Sequence, residues 1–221
     1  MRTPGGEVIR GRWGRSLSGG GLSQAFAADS VAAQVCCTVF GLFWHGERVA
    51  HALEMYFDHE ADTAVWKLWQ VLADAGLPSL ATLTHRQHRP HVSLTVAESL
   101  ACADLAPLRS VLGAHRPTLH LYVLGTFPES QGALFLGVPA TADLLAFHAD
   151  VHAALADQPV EHWPYYLPGN WVPHCALAEG LDKAEAAMAF GLLFGYEPIT
   201  ATVASVGIKD TATGAVTPLT A

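Results

Sequence analysis

The sequence has little charge, and little of that charge is positive. Charged residues make up 14% of the 221 residues, with 12 Lys and Arg against 20 Asp and Glu and a formal net charge of −8. Because basic surface supplies most of the nonspecific affinity for duplex nucleic acid, this balance argues against a broad nucleic-acid footprint. It leaves room for a nucleotide or an RNA end in a local pocket. Apolar residues reach 51%, so we expect most of the chain to be globular.

Cysteine pairs and long apolar runs are also scarce. Cys36 and Cys37 are adjacent, whereas Cys102 and Cys175 are isolated, so the cysteines form no CxxC pair and no recognisable disulfide framework. We therefore expect a reduced, cytoplasmic protein. The apolar run VAAQVCCTVFGLFW at 31–44 is too short for a helix that crosses a bilayer, and no membrane anchor is predicted.

The beginning of the chain differs in composition from the rest. Residues up to about 30 are rich in Gly, Ser and Arg and show no usable periodicity. We expect a flexible leader over 1–48 and a folded domain over 49–221. The segment VAHALEMYFD at 49–58 has the alternating pattern of a domain's first strand. A natural start at Val49 is a further hypothesis, which the mass of the native protein would test.

Helical and strand patterns alternate irregularly along the predicted domain. Apolar residues at helical spacing predict a helix over 62–76. Further helices are predicted over about 103–114, 141–156 and 182–194, and strands over 89–96, 119–127, 133–140, 171–178 and 199–210. A turn at 210–214 leads into a short final strand. This order, with apparent hairpins, favours an α+β fold with antiparallel sheets.

Two of the predicted strands carry a histidine directly after a proline. They read RPHVSLTV at 89–96 and WVPHCALA at 171–178. Side chains of a strand point alternately to its two faces, so His174 and Ala176 share a face. In the first strand one face is predicted to carry His91, Ser93 and Thr95, and the other Val92, Leu94 and Val96. One polar face is ordinary for a half-solvated antiparallel sheet, but its repetition in the other half of the chain favours a functional role.

Paired histidines suit the cleavage of a phosphodiester. The reaction needs one proton removed from the attacking water and another delivered to the departing oxygen, and histidine titrates close enough to neutral pH for both tasks. A hydroxyl two residues further on lies about 7 Å along the same strand face. There it can donate a hydrogen bond to a nonbridging phosphate oxygen.

The segments RPHVSL and WVPHCAL resemble the paired motifs of the two-histidine (2H) phosphoesterase superfamily, whose bacterial members are commonly named 2′-5′ RNA ligase family proteins. The resemblance covers roughly residues 49–221. It implies two pseudo-symmetric lobes, each an antiparallel sheet with flanking helices, and an active cleft between the lobes. It also implies metal-independent attack on phosphodiesters without a cofactor, typically the opening of a 2′,3′-cyclic phosphate to leave a 2′-phosphate.

The resemblance assigns roles to individual residues. His91 and His174 would be the acid and base pair, in an order that the sequence leaves open, and Ser93 would bind the phosphate. Ala176 stands where the family has Ser or Thr, so the alternative is a catalytically weakened module that binds a nucleotide or an RNA end. Arg89, near the phosphate, and Tyr166, able to stack on a base or ribose, are further substrate-binding candidates. We expect a monomer.

Other histidines have spacings that raise the question of metal binding. His85, His88 and His91 are three apart, but an extended segment sends every third residue to alternating sides, so no metal site is predicted there. His148 and His152 are four apart on a predicted helix, yet HADVH lacks the glutamate of the zinc-protease pattern. We interpret them as part of a solvated helix face. A His-rich metal hydrolase stays as a third hypothesis.

Overall fold

The computed structural model describes residues 50–82, 88–101, 103–127 and 132–220. The predicted leader over 1–48 and the proposed start at Val49 lie outside the described residues and stay predictions. The helices and strands follow in the order β1 (His51–Phe57), α1 (His59–Asp74), β2 (His91–Ala97), α2 (Ala106–Ala114), β3 (Thr118–Leu121), β4 (Val123–Thr126), β5 (Leu134–Gly137), α3 (Ala142–Ala153), β6 (His174–Ala178), α4 (Lys183–Leu193), β7 (Ile199–Asp210) and β8 (Val216–Pro218).

The strands form two antiparallel sheets. The five-stranded sheet has the order β2-β1-β7-β3, with β8 also paired to β7, and the three-stranded sheet has the order β4-β5-β6. All of the pairings are antiparallel. The predicted α+β class with antiparallel sheets is confirmed.

The first helix shows how the sequence determines an element boundary. The Asp58 side chain accepts a hydrogen bond from the Ala61 N–H at 3.0 Å and caps the helix, so α1 begins before the predicted position 62. This hydrogen bond also lowers the pKa of Asp58. The helix buries one face with Val65, Trp69 and Leu72 against the core. That face positions Trp69 beside β6.

The segment predicted as one strand over 119–127 is two strands in different sheets. It is interrupted at Tyr122, where β3 ends its pairing with β7 and β4 begins its pairing with β5. The Tyr122 N–H donates to the Gly137 carbonyl of β5, which already belongs to the second sheet. The alternating pattern of LHLYVLGTF continues past Tyr122, and neither neighbour of Tyr122 is a Gly or Pro. No local signal in the sequence therefore marks the interruption.

Strand β2 contains a bulge that changes which residues share a face. Glu54 of β1 pairs with Ser93, whereas Leu53 pairs with Thr95, so the register shifts at Leu94. Val96 then pairs with Ala52 and lies on the same face as Glu54 and Ser93. The predicted alternation is therefore wrong beyond Leu94. Val96 belongs to a small apolar cluster with Ala50 and Ala52, separate from the main core.

No helix in the described part of the chain is both long enough and apolar enough to cross a membrane.

Candidate active site

Each motif histidine is anchored by the backbone of its own segment. The Nδ1 atom of His91 lies 2.6 Å from the Arg89 carbonyl oxygen, and the Nδ1 atom of His174 lies 2.7 Å from the Val172 carbonyl oxygen. A carbonyl oxygen only accepts, so Nδ1 carries the proton in both rings and Nε2 is left for other partners. In both segments the acceptor residue precedes the proline. Two Xaa-Pro-His segments far apart in the chain thus produce the same local geometry.

The two histidine strands contact each other. β2 and β6 are each the edge strand of a sheet, and they lie side by side. The buried thiol of Cys175 accepts a hydrogen bond from the backbone of His91; this bond lowers its pKa, but burial dominates and raises it to about 12. The thiol therefore serves as a contact between the strands and not as a nucleophile at neutral pH.

The ring of His174 lies in an aromatic environment. Its centroid is 5.1 Å from that of Phe127 and 5.1 Å from that of Phe135. Gly125 leaves room for the Phe135 ring, since a Cβ there would lie 2.7 Å from Cε2 of the phenylalanine. Burial lowers the pKa of His174, the hydrogen bond to Val172 raises it, and the nearby charge of His91 lowers it further.

Two tryptophan side chains donate hydrogen bonds to the backbone of the histidine strands β2 and β6. The Nε1–H of Trp171, which precedes β6, donates to the Ser93 carbonyl of β2 at 2.9 Å. The Nε1–H of Trp69, on α1, donates to the Ala176 carbonyl of β6 at 3.0 Å. Both acceptors are the second residue after a motif histidine. The unpaired edges of β2 and β6 thus receive side-chain donors at equivalent positions.

The residues predicted to bind substrate lie on the His91 side of the site. Ser93 is half-buried and shares the sheet face of His91. The Arg89 guanidinium lies 4.8 Å from the centroid of the Tyr56 ring, and its Nη2 atom is 3.9 Å from Asp62 Oδ1. Its side chain is 51% exposed, so it can reach a ligand from solvent.

Tyr166 lies on the same face of the five-stranded sheet. It packs against the apolar cluster that contains Ala52 and Val96. Burial, followed by the charges of Glu179 and Glu54, raises the pKa of the Tyr166 hydroxyl, which therefore stays protonated at neutral pH. The structure brings Arg89, Ser93 and Tyr166 to one face, while their roles stay predictions.

Glu54 is a buried carboxylate beside His91 that the sequence analysis did not identify. Its side chain is 3% exposed, and its Oε1 atom lies 3.3 Å from His91 Nε2. The Tyr56 hydroxyl donates to Oε2 at 2.7 Å, and Lys209 Nζ lies 3.8 Å from Oε1. Lys209 is also buried, and its Nζ is 3.3 Å from His88 Nδ1. The charged network therefore lies beside β2, on the sheet face that carries His91 and Ser93.

A signal for Glu54 was available in the sequence. A lone acid interrupts the otherwise apolar part of the first strand, HALEMYF, and a buried carboxylate requires partners. Its pairing with Ser93 and its approach to His91 depend on the bulge in β2, which the sequence does not indicate. Burial and Glu54 together raise the pKa of Tyr56, so its hydroxyl remains a donor to the carboxylate.

His148 and His152 lie in a buried cluster, so the predicted solvated helix face is wrong. They are 1% and 8% exposed. The His148 ring stacks on Trp171 with centroids 4.0 Å apart, and its Nε2–H donates to the Leu94 carbonyl of β2 at 3.0 Å. His152 lies between His148 and His162, with ring centroids 4.6 and 4.8 Å away. The cluster therefore contacts β2 through the hydrogen bond from His148 to the Leu94 carbonyl.

Burial is the main cause of lowered pKa values in this cluster. It lowers the pKa of His148 to about 4, with an added effect of the neighbouring His152 charge, and it lowers the pKa of His152 and His162. His162 Nδ1 lies 2.8 Å from the Thr95 hydroxyl oxygen, another contact to β2. Among the described residues, no group of three or more His, Cys, Asp or Glu is arranged to hold a metal ion. His85 and Arg86 lie outside the described residues.

Comparison with known families decides the family of the chain. The model of the 2′-5′ RNA ligase superfamily matches residues 61–214, a range that contains both histidine strands. The chain belongs to this superfamily. The predicted resemblance to the 2H phosphoesterases is confirmed. A search of curated proteins found no match.

Solved structures that match the chain include two of Kluyveromyces marxianus Usb1. One, determined with uridine monophosphate, is 12% identical, with a TM-score of 0.40 and coverage of 79% of this chain and 98% of that chain. The other has the same identity and TM-score and covers 79% of this chain and 99% of that chain.

Proposed function

We propose that this superfamily member is a phosphodiesterase that opens a 2′,3′-cyclic phosphate or processes an RNA end by two-histidine acid–base catalysis. The superfamily assignment supports phosphoester chemistry. The observation that carries the proposal is the pairing of His91 and His174 on contacting strands, both with Nδ1 protonated and anchored. Two imidazoles supply both of the required proton transfers, so we propose that neither a metal ion nor another cofactor takes part.

The proposed reaction consumes one water molecule. One imidazole takes a proton from the water as its oxygen forms a bond to phosphorus. The bond from phosphorus to the ribose 3′-oxygen breaks, its electron pair stays on that oxygen, and the other imidazole gives it an Nε2 proton. The products are a 2′-phosphate and a 3′-hydroxyl. Exchange with solvent then returns both rings to their starting states.

The remaining candidate residues contribute binding. The Ser93 hydroxyl would donate to a nonbridging oxygen of the phosphate, and the half-exposed Arg89 guanidinium would neutralise its charge. Tyr166 would contact the base or ribose with its ring. We further propose two pseudo-symmetric lobes, each built on one of the two sheets, with the cleft along β2 and β6. The protein would act as a cytoplasmic monomer.

The test is hydrolysis of a nucleoside 2′,3′-cyclic phosphate in the presence of EDTA, with the product identified by 31P NMR. His91→Ala and His174→Ala are each expected to reduce kcat/KM about 10³-fold, because each removes one proton-transfer group. His59→Ala alters an exposed histidine at the start of α1 and serves as the matched control with unchanged activity. No hydrolysis by the wild type, or equal hydrolysis by all the variants, would refute the proposal.

A second candidate function is a binding module of the same fold. Its motive is Ala176, whose methyl group cannot donate to a phosphate. This function predicts that calorimetry detects binding of a 2′,3′-cyclic nucleotide, weakened by Ser93→Ala, while no product forms. Product formation that depends on both histidines would exclude it.

A further inference from the structure

The two motif histidines have the same backbone anchor but different neighbours at Nε2 and around the ring. His91 faces the carboxylate of Glu54 across 3.3 Å. His174 instead lies among the rings of Phe127 and Phe135. The sequence motifs do not reveal this difference, because both read Xaa-Pro-His. It bears on which ring gives a proton and which ring takes one.

Both ring nitrogens of His91 face acceptors. Nδ1 donates to the Arg89 carbonyl, and Nε2 faces Glu54 Oε1. An ionised carboxylate only accepts, so both contacts are favourable only when both nitrogens carry protons. The 3.3 Å separation is longer than the roughly 2.7–2.9 Å of a charge-assisted hydrogen bond, so the Nε2 proton is not committed to the carboxylate.

The carboxyl group of Glu54 has two polar partners besides His91. The Tyr56 hydroxyl donates to one oxygen, and the ammonium group of Lys209 lies 3.8 Å from the other. Lys209 is itself 3% exposed, and a buried ammonium group needs an opposite charge nearby. The Oε1 atom of Glu54 therefore faces both the ammonium group of Lys209 and the ring of His91.

The surroundings of His174 favour the neutral ring. Burial among aromatic rings lowers its pKa, and the positive charge of His91 acts in the same direction. Its Nδ1 proton is held by the Val172 carbonyl, so the lone pair is on Nε2. That atom can take a proton from water.

We propose that Glu54 is a positioning residue that holds His91 as an imidazolium, so that His91 is the proton donor and His174 the proton acceptor. The inference rests on the proposed function. During ring opening His174 Nε2 takes the water proton while the water oxygen bonds to phosphorus. The departing ribose oxygen takes the electron pair of the broken bond together with the Nε2 proton of His91.

The titratable and charged groups that face His91 come from its own segment and from three neighbouring strands. They are His88 and Arg89 on its own segment, Glu54 and Tyr56 on β1, Lys209 on β7, and His174 and Cys175 on β6. Glu54 is the acid among them whose oxygen contacts a ring nitrogen of His91. Its removal is therefore the change that isolates the proposed effect.

The kinetic test is Glu54→Gln, which keeps the shape of the side chain and removes its charge. We expect kcat for a 2′,3′-cyclic phosphate to fall about 10-fold at neutral pH with little change in KM. Lower pH should restore part of the rate, because it returns the proton to His91 while His174, with its lowered pKa, stays neutral. A purely structural defect would lower the rate equally at every pH, and that result would overturn the proposal.

A second measurement needs no turnover. Nitrogen-15 NMR of the imidazole rings should show His91 with two protonated nitrogens at neutral pH in the wild type and with one in Glu54→Gln. His174 should show one in both proteins. This readout separates a failure of the present proposal from a failure of the proposed function, because it does not depend on hydrolysis. A neutral His91 in the wild type, or an unchanged one in the variant, would overturn the proposal.

Two further variants control for charge and folding. Glu60→Gln removes an equivalent charge from an exposed position on α1 and should leave both the rate and the His91 signals unchanged. If Glu54→Gln does not fold because Lys209 loses its partner, the double variant Glu54→Gln with Lys209→Met removes both buried charges. It should show the same partial recovery of rate at low pH, and an equal loss at every pH would again contradict the proposal.

Discussion

Strands β2 and β6 carry the same Xaa-Pro-His motif in unlike surroundings. Behind β2, the ring of His148 donates to the Leu94 carbonyl and His162 contacts the Thr95 hydroxyl. In β6, the Ala176 carbonyl accepts a hydrogen bond from Trp69 of α1. The ring of His174, at the start of β6, packs against two phenylalanine rings. The motif therefore determines the orientation of each ring, whereas the tertiary environment determines its electrostatics. Three predictions test this comparison.

The largest effect is expected from acidification, which should lower the unfolding free energy through the buried His148 that contacts β2. The pKa of His148 is lowered from 6.5 to about 4, so between these pH values the unfolded chain binds more protons than the folded one. The contribution of the neutral His148 ring to the unfolding free energy is complete above pH 6.5 and is lost as the pH falls towards 4. The lowered pKa of His148, to which burial and the charge of His152 contribute, corresponds to on the order of 3 kcal/mol of unfolding free energy. Urea unfolding across this range measures the loss.

The control for the acid effect is a pair of glutamine variants. His148→Gln keeps a donor for the Leu94 carbonyl but does not titrate, so its stability should fall less steeply with acid than that of the wild type. His59→Gln changes an exposed histidine and should keep the wild-type slope. Equal slopes for the wild type and His148→Gln would contradict the assignment.

The next effect concerns the hydroxyl that distinguishes the two motifs. Ser93→Ala makes β2 like β6 at this position and should lower kcat about 10²-fold, because the proposed donor to the phosphate is lost. Ala176→Thr makes the opposite change on β6 and should raise kcat several-fold. The measurement is the initial rate with a 2′,3′-cyclic nucleotide.

Valine provides the matched control at position 176. Ala176→Val has nearly the same shape as Ala176→Thr but no hydroxyl, so it should give no gain in kcat. A gain for both variants would point to packing at β6 and not to phosphate binding.

The smallest effect is expected from the reciprocal tryptophans. Trp171→Phe leaves the Ser93 carbonyl without its indole donor, and Trp69→Phe does the same to Ala176. Each change should lower the unfolding free energy by about 1–2 kcal/mol. Trp69 is fully buried, so its variant adds a small cavity and should cost more. Trp66→Phe changes a partly buried neighbour on α1 and should cost the least; a larger loss for Trp66→Phe would contradict the proposed ties.

The sequence was sufficient for the elements that depend on local patterns. The predicted strand 199–210 matches β7, and the predicted helix 182–194 differs from α4 by one residue at each end. At its start, Asp182 is the N-cap and forms a capping box with Glu185. Proline followed by histidine was enough to find both motif strands. Each of these signals lies within a few residues of the feature that it predicts.

The features that the sequence did not predict depend on long-range pairing. Leu94 forms a bulge because of its register against β1, and Tyr122 separates two sheets without a turn residue. His148 and His152 have the spacing of a polar helix face in the sequence, but in the structure Trp171 stacks on His148 and His162 contacts His152. The role proposed for Glu54 likewise depends on its contacts with Lys209 and His91, which are distant in the sequence. Periodicity carries no information on such partners.

The position of β7 has a consequence for the order in which the protein is made. β7 follows both histidines in the chain, yet it pairs with β1 and β3 inside the sheet that carries His91. On the ribosome, that sheet cannot close until this late strand has emerged, and long-range pairing of this kind is slow. A nascent chain therefore completes the sheet that carries His91 only after β7 has been synthesised, later than the segments that carry the two imidazoles.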